Sequence, residues 1–339
     1  MKYLRPIKPN KYTHKDDLLN KTYAQIQQEA LPISTFTMHS VSPKLFAGNW
    51  SLFREVFLVD NQVSREVKEA INLAVSKLNT CPYCVDAHSI MLSGLKHEII
   101  AIAIVNNDLN TIADPKFISI VEWALSSNQP NHPLQLNPPF NNVEAPEIIG
   151  AALNFHYTNR LVNIFLNKAF IPLPFGKGIA NWVVRKVMIK TGLVGSSRNA
   201  GKSLVLLPEA NLPDDFKWAA SNPFIAQALS RYAAVVEESI CKFVSPDVRN
   251  FVEQNISKWD GQNKGISRQW VETLTNELDL QSKAIAKLAL LTAFSSFQVD
   301  KTVIDEFKTY FSLDEELLAV VVWASFYTAR VIASWTSVH

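Results

Sequence analysis

An apolar stripe of helical period leads directly into a pair of cysteines, and this combination constrains the fold more than any other feature. Ser64 is suited to cap the predicted helix, and Glu66 lies in its first turn. Glu69 sits at the edge of the face that the stripe would bury. The apolar side chains that recur at helical spacing are Val67, Ala70, Ile71, Ala74, Val75 and Leu78.

The segment that follows this helix reads Cys-Pro-Tyr-Cys-Val-Asp-Ala-His, from Cys81 to His88. Pro82 suits the first turn of a helix, where its missing N–H costs nothing. On that helix Cys84 and His88 lie one turn apart on one face, and Cys81 and Cys84 can close a disulfide. Because a helix N-terminus lowers the pKa of a thiol, we expect a reactive thiolate here. If the two helices pack together, Glu69 reaches the thiols and the imidazole.

Composition narrows the class of protein. The chain has 339 residues, of which 47% are hydrophobic, 19% are charged and only 10 are glycine, so we expect an all-α globular chain of one to three domains. A net charge of +2 predicts neither a nucleic-acid nor a membrane partner. The first residues show no secretory pattern, and no apolar run approaches membrane-spanning length. Three cysteines fit a reducing, cytoplasmic location.

Further helices are predicted from apolar periodicity, and prolines and glycines divide them. Gly94 is expected to end the helix that carries the cysteines. Residues 126–143 contain four prolines and are expected to form a loop. The other predicted helices cover about 17–29, 43–57, 96–105, 116–125, 146–167 and 179–190.

The second half of the chain repeats features of the first. Asn222-Pro223 echoes Ser42-Pro43, and Ser245-Pro246 echoes Ser64-Arg65, each about 180 residues later. An internal duplication predicts two helical halves that pack around a pseudo-twofold axis. The predicted division is an N-terminal arm (1–36), a helical domain with the cysteine pair (37–165), a connecting segment (166–215) and a degenerate helical domain (216–339).

The second copy lacks the candidate chemistry. Gln262 and Gly265 stand where the two cysteines would be, Gln269 stands at the histidine position, and Asn250 stands at the glutamate position. We therefore expect one site per chain, with the second copy as a structural partner.

Four residue types at fixed spacings carry a resemblance to a known family. They are Glu69, Cys81, Cys84 and His88, in the pattern Glu-x11-Cys-x2-Cys-x3-His. With Ser64-Arg65-Glu66, the Leu-Ala-Val-Ser run and Ser42-Pro43, this pattern resembles the AhpD-like alkylhydroperoxidase branch of the carboxymuconolactone decarboxylase family, in its peroxidase-related subgroup. The chain departs from the founding AhpD-like enzymes at Tyr83, where they carry a His.

The resemblance implies an AhpD-like helical fold and a thiol-dependent peroxidase or disulfide oxidoreductase that reduces hydroperoxides. In that mechanism Cys84 is the peroxidatic nucleophile, Cys81 resolves its sulfenic acid as a disulfide, and His88 and Glu69 relay the proton. The resemblance implies no metal, haem, flavin or other cofactor, and an external dithiol or lipoyl-bearing protein as reductant. Because duplication already buries one interface between protomers, we expect a monomer or a low-order homo-oligomer.

Several alternatives stay open at this point. Cys81, Cys84, His88 and Glu69 are a possible zinc ligand set. Cys-Pro-Tyr-Cys also occurs in glutaredoxins, whose fold places a strand before the motif, whereas a helix is predicted here. A lactone decarboxylase or isomerase of the same family and a non-enzymatic redox sensor are further functions to weigh.

Two features outside the motif also yield predictions. The glycine-rich segment 195–203 has the wrong spacing for a P-loop and is expected to be a polar surface loop. Cys241 is expected to be a buried small apolar residue, and His156 is expected to be a satisfied core histidine.

Overall fold

The computed structural model describes residues 8–10, 16–59, 61–166, 186 and 198–338. All regular structure in these ranges is helical, which confirms the predicted all-α fold. The first half contains α1 (Asp17–Glu29), α2 (Ser34–Thr37), α3 (Pro43–Phe53), α4 (Arg65–Leu78), α5 (Pro82–Gly94), α6 (Glu98–Asn106), α7 (Pro115–Leu125), α8 (Pro133–Leu136) and α9 (Ala145–Phe165). The second half contains α10 (Pro223–Cys241), α11 (Pro246–Ser257), α12 (Gln269–Leu274), α13 (Leu280–Ser295), α14 (Lys301–Lys308) and α15 (Asp314–Ser334).

Helix boundaries follow the predictions with a few differences. The helix predicted over 43–57 divides into α3 and a π-helical turn over Arg54–Leu58. Gly94 is the last residue of α5, so the helix ends where predicted, although Leu95 takes the capping position and the residue with positive φ is Lys96, at 69°. The loop predicted over 126–143 contains the short helix α8. The helix predicted over 179–190 lies outside the described residues apart from Lys186.

The core forms where the two halves of the chain meet. Helix α9 packs along α15, and α3 packs on α10. One hydrophobic cluster extends through both halves. Helix α15 is long and apolar enough to cross a membrane by length and composition, but 78% of its most apolar window is buried inside the protein. Its apolar character is therefore accounted for by packing.

A chain of buried hydroxyl and imidazole groups crosses the contact between the halves. Nδ1 of His39 donates to the carbonyl of Phe36, so Nε2 accepts from the Tyr157 hydroxyl at 2.6 Å. The Tyr157 hydroxyl in turn accepts from Tyr232 of α10. Burial raises the pKa of both tyrosines, so both stay protonated and serve as donors.

The internal duplication and the domain division remain predictions. Helices α3 and α10 begin at Pro43 and Pro223, and α4 and α11 begin at Arg65 and Pro246. Residues 260–268 of the second half, which include the positions of the two missing cysteines, form no helix. Helix α12 begins only at Gln269.

Residues 198–203, the described part of the glycine-rich segment, pack on a buried carboxylate, while Asn199 and Lys202 within them are exposed. Glu55 accepts hydrogen bonds from the backbone N–H of Gly201 and of Ser203 and from the Ser203 hydroxyl. Arg54 pairs with the same carboxylate. The backbone donors that a phosphate group would need are therefore taken by the chain's own Glu55.

Candidate functional site

The two candidate cysteines lie in contact at the start of α5. Cys81 immediately precedes the helix, Cys84 lies in its first turn, and their sulfur atoms are 2.9 Å apart as free thiols. The backbone N–H of Cys81 donates to the carbonyl of Ser76 at 2.9 Å, which ties the motif to the end of α4. Both cysteines are buried and pack against Val162 of α9.

The turn between α4 and α5 contains an unusual backbone conformation. Thr80 has φ of 52°, in the left-handed region that a β-branched residue rarely occupies. Its side chain is exposed. A strained residue immediately before Cys81 is typical of a turn whose geometry is held by its surroundings.

Glu69 and His88 form the second pair of the site. Oε2 of Glu69 accepts from Nδ1 of His88 at 2.6 Å, and Oε1 accepts from Nε of Arg65 at 3.0 Å. Burial acts to raise the pKa of Glu69, but the Arg65 charge and the two hydrogen bonds outweigh it and hold the pKa below 4.5. Glu69 is therefore ionised, and Nδ1 of His88 carries the hydrogen. Nε2 of a neutral His88 is left as a proton acceptor.

Aromatic rings hold the imidazole in place. The His88 ring meets Phe155 of α9 edge to face, with centroids 4.4 Å apart, and meets Phe57 at 6.4 Å. Phe57 lies in the π-helical turn, and its ring also carries the Arg65 guanidinium at 4.0 Å from the centroid. The π-helical turn thus places one ring against both the imidazole and the arginine, as such turns often do at functional sites.

The thiol environment differs from the sequence prediction. Burial raises the pKa of Cys84 well above its ordinary value, and the adjacent Cys81 raises it further. Hydrogen bonds from Asn159 and Ser76 act in the opposite direction but do not cancel that rise. The expected low-pKa thiolate is thus wrong for the resting dithiol, because desolvation outweighs the helix N-terminus. A base would therefore be needed to remove the Cys84 proton at neutral pH.

A polar network extends from the cysteines into the core. The Asn159 amide donates to the Ser76 hydroxyl at 3.1 Å, and its oxygen accepts from Asn79 at 3.0 Å. Asn79 also donates to Nδ1 of His156, whose Nε2 bonds the Ser127 hydroxyl at 2.8 Å. Burial and the Arg160 charge lower the pKa of His156, so it stays neutral. His156 is thus a buried, hydrogen-bonded core histidine, as predicted.

One face of α4 supplies most of these polar groups. Their spacings of four, three, four and three residues keep them on a single stripe that faces α5 and α9. The apolar stripe of α4 was predicted from the sequence and this polar stripe was not, although the same helical periodicity marks both. The members of the polar stripe are Arg65, Glu69, Asn72, Ser76 and Asn79.

The predicted residues therefore come together as two pairs. Cys81 lies against Cys84, and Glu69 is bonded to His88. Within the described chain, no hydrogen bond joins His88 to either thiol. No three His, Cys, Asp or Glu side chains of the described residues are grouped to hold a metal ion, so this part of the structure offers no support for the zinc alternative. Cys241 is exposed, and the prediction that it is buried is wrong.

A comparison with known proteins identifies the family. The chain is 30% identical to the alkyl hydroperoxide reductase Rv2159c of Mycobacterium tuberculosis, over 99% of this chain and 95% of the relative. The chain belongs to the AhpD-like family. No family model matches it. Because the similarity covers nearly the full length of both proteins, the AhpD-like relationship includes the second half of the chain, where the cysteine motif is absent.

Proposed function

We propose that the protein is a thiol-dependent peroxidase that reduces hydroperoxides through Cys84 and a Cys81–Cys84 disulfide. The observation that carries the proposal is the contact of two buried free thiols at 2.9 Å, one helical turn from a histidine bonded to an ionised glutamate. The relative named alkyl hydroperoxide reductase supports peroxidase-type chemistry at the level of the family.

In the first step Cys84 attacks the terminal oxygen of the hydroperoxide. A sulfur–oxygen bond forms, the oxygen–oxygen bond breaks, sulfur is oxidised to sulfenic acid, and the departing alkoxide takes up a proton to become the alcohol. Because burial keeps the Cys84 thiol protonated at rest, its proton must move as the bond forms. Nε2 of His88, one helical turn along α5 from Cys84, is an acceptor of suitable chemistry, reached directly or through a water, with Glu69 stabilising the imidazolium.

In the second step Cys81 attacks the sulfenic acid and releases water, which leaves a Cys81–Cys84 disulfide. The sulfur atoms already lie in contact, so little backbone movement is needed. An external dithiol, such as a lipoyl-type group, must then reduce the disulfide. The reductant, the cytoplasmic location and the monomeric or low-order oligomeric state remain predictions.

Two alternative functions lead to different outcomes. A redox sensor forms the disulfide without rapid turnover, and a lactone decarboxylase or isomerase does not need both thiols. Intact mass before and after one equivalent of organic hydroperoxide tests the proposal. We expect the reduced chain to lose two hydrogens and the peroxide to become its alcohol, with repeated turnover when a dithiol is added. A chain whose thiols stay reduced would contradict the proposal.

A further inference from the structure

Asn72 is the member of the polar stripe on α4 whose side chain finds no hydrogen-bond partner among the described residues. It is fully buried, yet neither its amide nitrogen nor its amide oxygen makes a hydrogen bond within the described residues. The other members of the stripe, Arg65, Glu69, Ser76 and Asn79, are all bonded. A buried amide without partners costs about 1–3 kcal/mol per unmet group, so its retention points to a role beyond folding.

The register of α4 against α5 places Asn72 within the site. Glu69 bonds His88, and Ser76, about two helical turns further along α4, lies beside Cys81 and Cys84. The two helices therefore run antiparallel. Asn72 follows Glu69 by three residues and precedes Ser76 by four, so it lies opposite the interval between Cys84 and His88.

We propose that the Asn72 carboxamide binds the hydroperoxide group of the substrate between Cys84 and His88. This inference rests on the proposed function and adds the substrate-binding residue to it. A hydroperoxide has one O–H donor and oxygen lone pairs, and a carboxamide offers one acceptor and two donors side by side. The amide oxygen accepts from the terminal O–H, and the amide N–H donates to the inner oxygen.

The same contacts favour the reaction. When Cys84 attacks the terminal oxygen, negative charge develops on the inner oxygen as the oxygen–oxygen bond breaks. The Asn72 N–H then donates to the developing alkoxide. This hydrogen bond becomes stronger in the transition state, because the oxygen that accepts it gains negative charge. The alkoxide is neutralised by the proton that left the Cys84 thiol, so atoms and charge balance without a further reactant.

The test compares Asn72→Leu, which keeps the size of the side chain but removes both polar atoms, with the unchanged protein. Disulfide formation is followed in a single turnover by quenching and intact mass, with hydrogen peroxide and cumene hydroperoxide as probes. Iodoacetamide alkylation of Cys84 measures thiol reactivity without a peroxide. We expect the peroxide rate to fall about tenfold, the loss for one hydrogen bond to a reacting group, while alkylation changes less than about twofold.

Asn154 of α9 provides a matched control. It is also buried, and within the described part of the chain both of its amide atoms lack hydrogen-bond partners. No site residue lies three, four or seven positions from Asn154 along α9. Asn154→Leu should leave the peroxide rate unchanged. Asn72→Ser retains a donor and an acceptor and should react with peroxide at an intermediate rate. It also tests the proposal if the leucine variant does not fold. Because Asn72→Leu removes an unsatisfied buried amide, its melting temperature should not fall.

The outcomes separate the two proposals. If the unchanged protein forms no disulfide with either peroxide, the proposed function fails, and the role of Asn72 fails with it. If the unchanged protein reacts and Asn72→Leu keeps the full rate, the role of Asn72 alone is wrong. If Asn72→Leu lowers the rate of reaction with peroxide and the rate of alkylation equally, the proposed role of Asn72 is also wrong. Equal falls in the two rates indicate that Cys84 is displaced and not that a substrate contact is lost.

Discussion

Glu69 and His88 are joined by a hydrogen bond of 2.6 Å between a fully buried carboxylate and the imidazole ring of a buried histidine, which is 8% exposed. The arrangement directs the lone pair of the imidazole away from Glu69, because the ionised carboxylate requires the hydrogen on Nδ1. The buried charge is tolerated since Arg65 binds the other carboxylate oxygen. Three residues from two helices thus prepare one proton acceptor.

The first prediction concerns Arg65→Met. Removing the guanidinium leaves Glu69 buried with His88 as its remaining partner, so the pKa of Glu69 should rise and the acid limb of the peroxide rate should move to higher pH. Stability at pH 7 should fall by about 3 kcal/mol, the lower end of the cost of leaving a buried charge without its ion-pair partner. Denaturant unfolding and a pH–rate profile measure the two effects.

The pH dependence of this loss has a definite sign. The folded-state pKa of Glu69 lies below its ordinary 4.5, so its contribution to stability is present above that value and is lost as the pH falls through the folded-state pKa. The difference between Arg65→Met and the unchanged protein should therefore shrink below pH 4.5. Arg249→Met, which removes an arginine paired with the exposed Glu237, is the control and should cost less than about 1 kcal/mol. A loss for Arg65→Met that is constant at all pH values would argue against this account.

The second prediction assigns the roles of the thiols. Cys84→Ser should abolish peroxide consumption. Cys81→Ser should allow one turnover and leave a sulfenic acid on Cys84 that a dimedone-type reagent labels, because the resolving thiol is absent. Cys241→Ser, the control, should behave as the unchanged protein does. Labelling at Cys81 in the Cys84→Ser protein, with none at Cys84 in the Cys81→Ser protein, would reverse the assignment.

The third prediction concerns the pH dependence of thiol reactivity. Because burial raises the pKa of Cys84 above its ordinary 9.0, the thiolate fraction is small at neutral pH and grows as the pH rises. In a chain that carries Cys81→Ser and Cys241→Ser, iodoacetamide alkylation of Cys84 should still be accelerating above pH 9. A small free thiol in the same buffers gives the reference curve. A plateau below pH 8 for Cys84 would be incompatible with a desolvated resting thiol.

The fourth prediction concerns Asn159. Its amide and the Ser76 hydroxyl favour the charged form of Cys84, so Asn159→Leu should raise the pKa of Cys84 further and slow its alkylation at neutral pH about tenfold, the effect of one hydrogen bond to a charged group. Alkylation rates across pH measure the shift. Asn163→Leu is the control on the same helix, since Asn163 bonds Ser296 and the carbonyl of Asn79 instead. Equal shifts in both variants would indicate a general loosening of α9.

The apolar periodicity of the sequence was sufficient to predict the helices that surround the site. Val67, Ala70 and Ile71 mark a face that has to be buried, and Pro82 marks the start of a helix, so α4 and α5 are encoded locally. The four motif residues were also identifiable, because a Cys-x-x-Cys pair with a histidine one turn later narrows the chemistry. Local patterns of this kind depend on residues close together in the chain.

The thiol pKa and the polar surroundings were decided by the tertiary structure. Asn159 and Phe155 reach the site from a helix more than 60 residues further along the chain, and Phe57 reaches it through a π-helical turn that no sequence pattern marked. Desolvation of Cys84 depends on what packs over it, and that packing reversed the expected direction of its pKa. The amino-acid sequence alone determined which groups are available and on which helix face they lie. Their burial and partners were settled only when α4, α5 and α9 packed together, because dielectric environment and hydrogen bonding are properties of the assembled core.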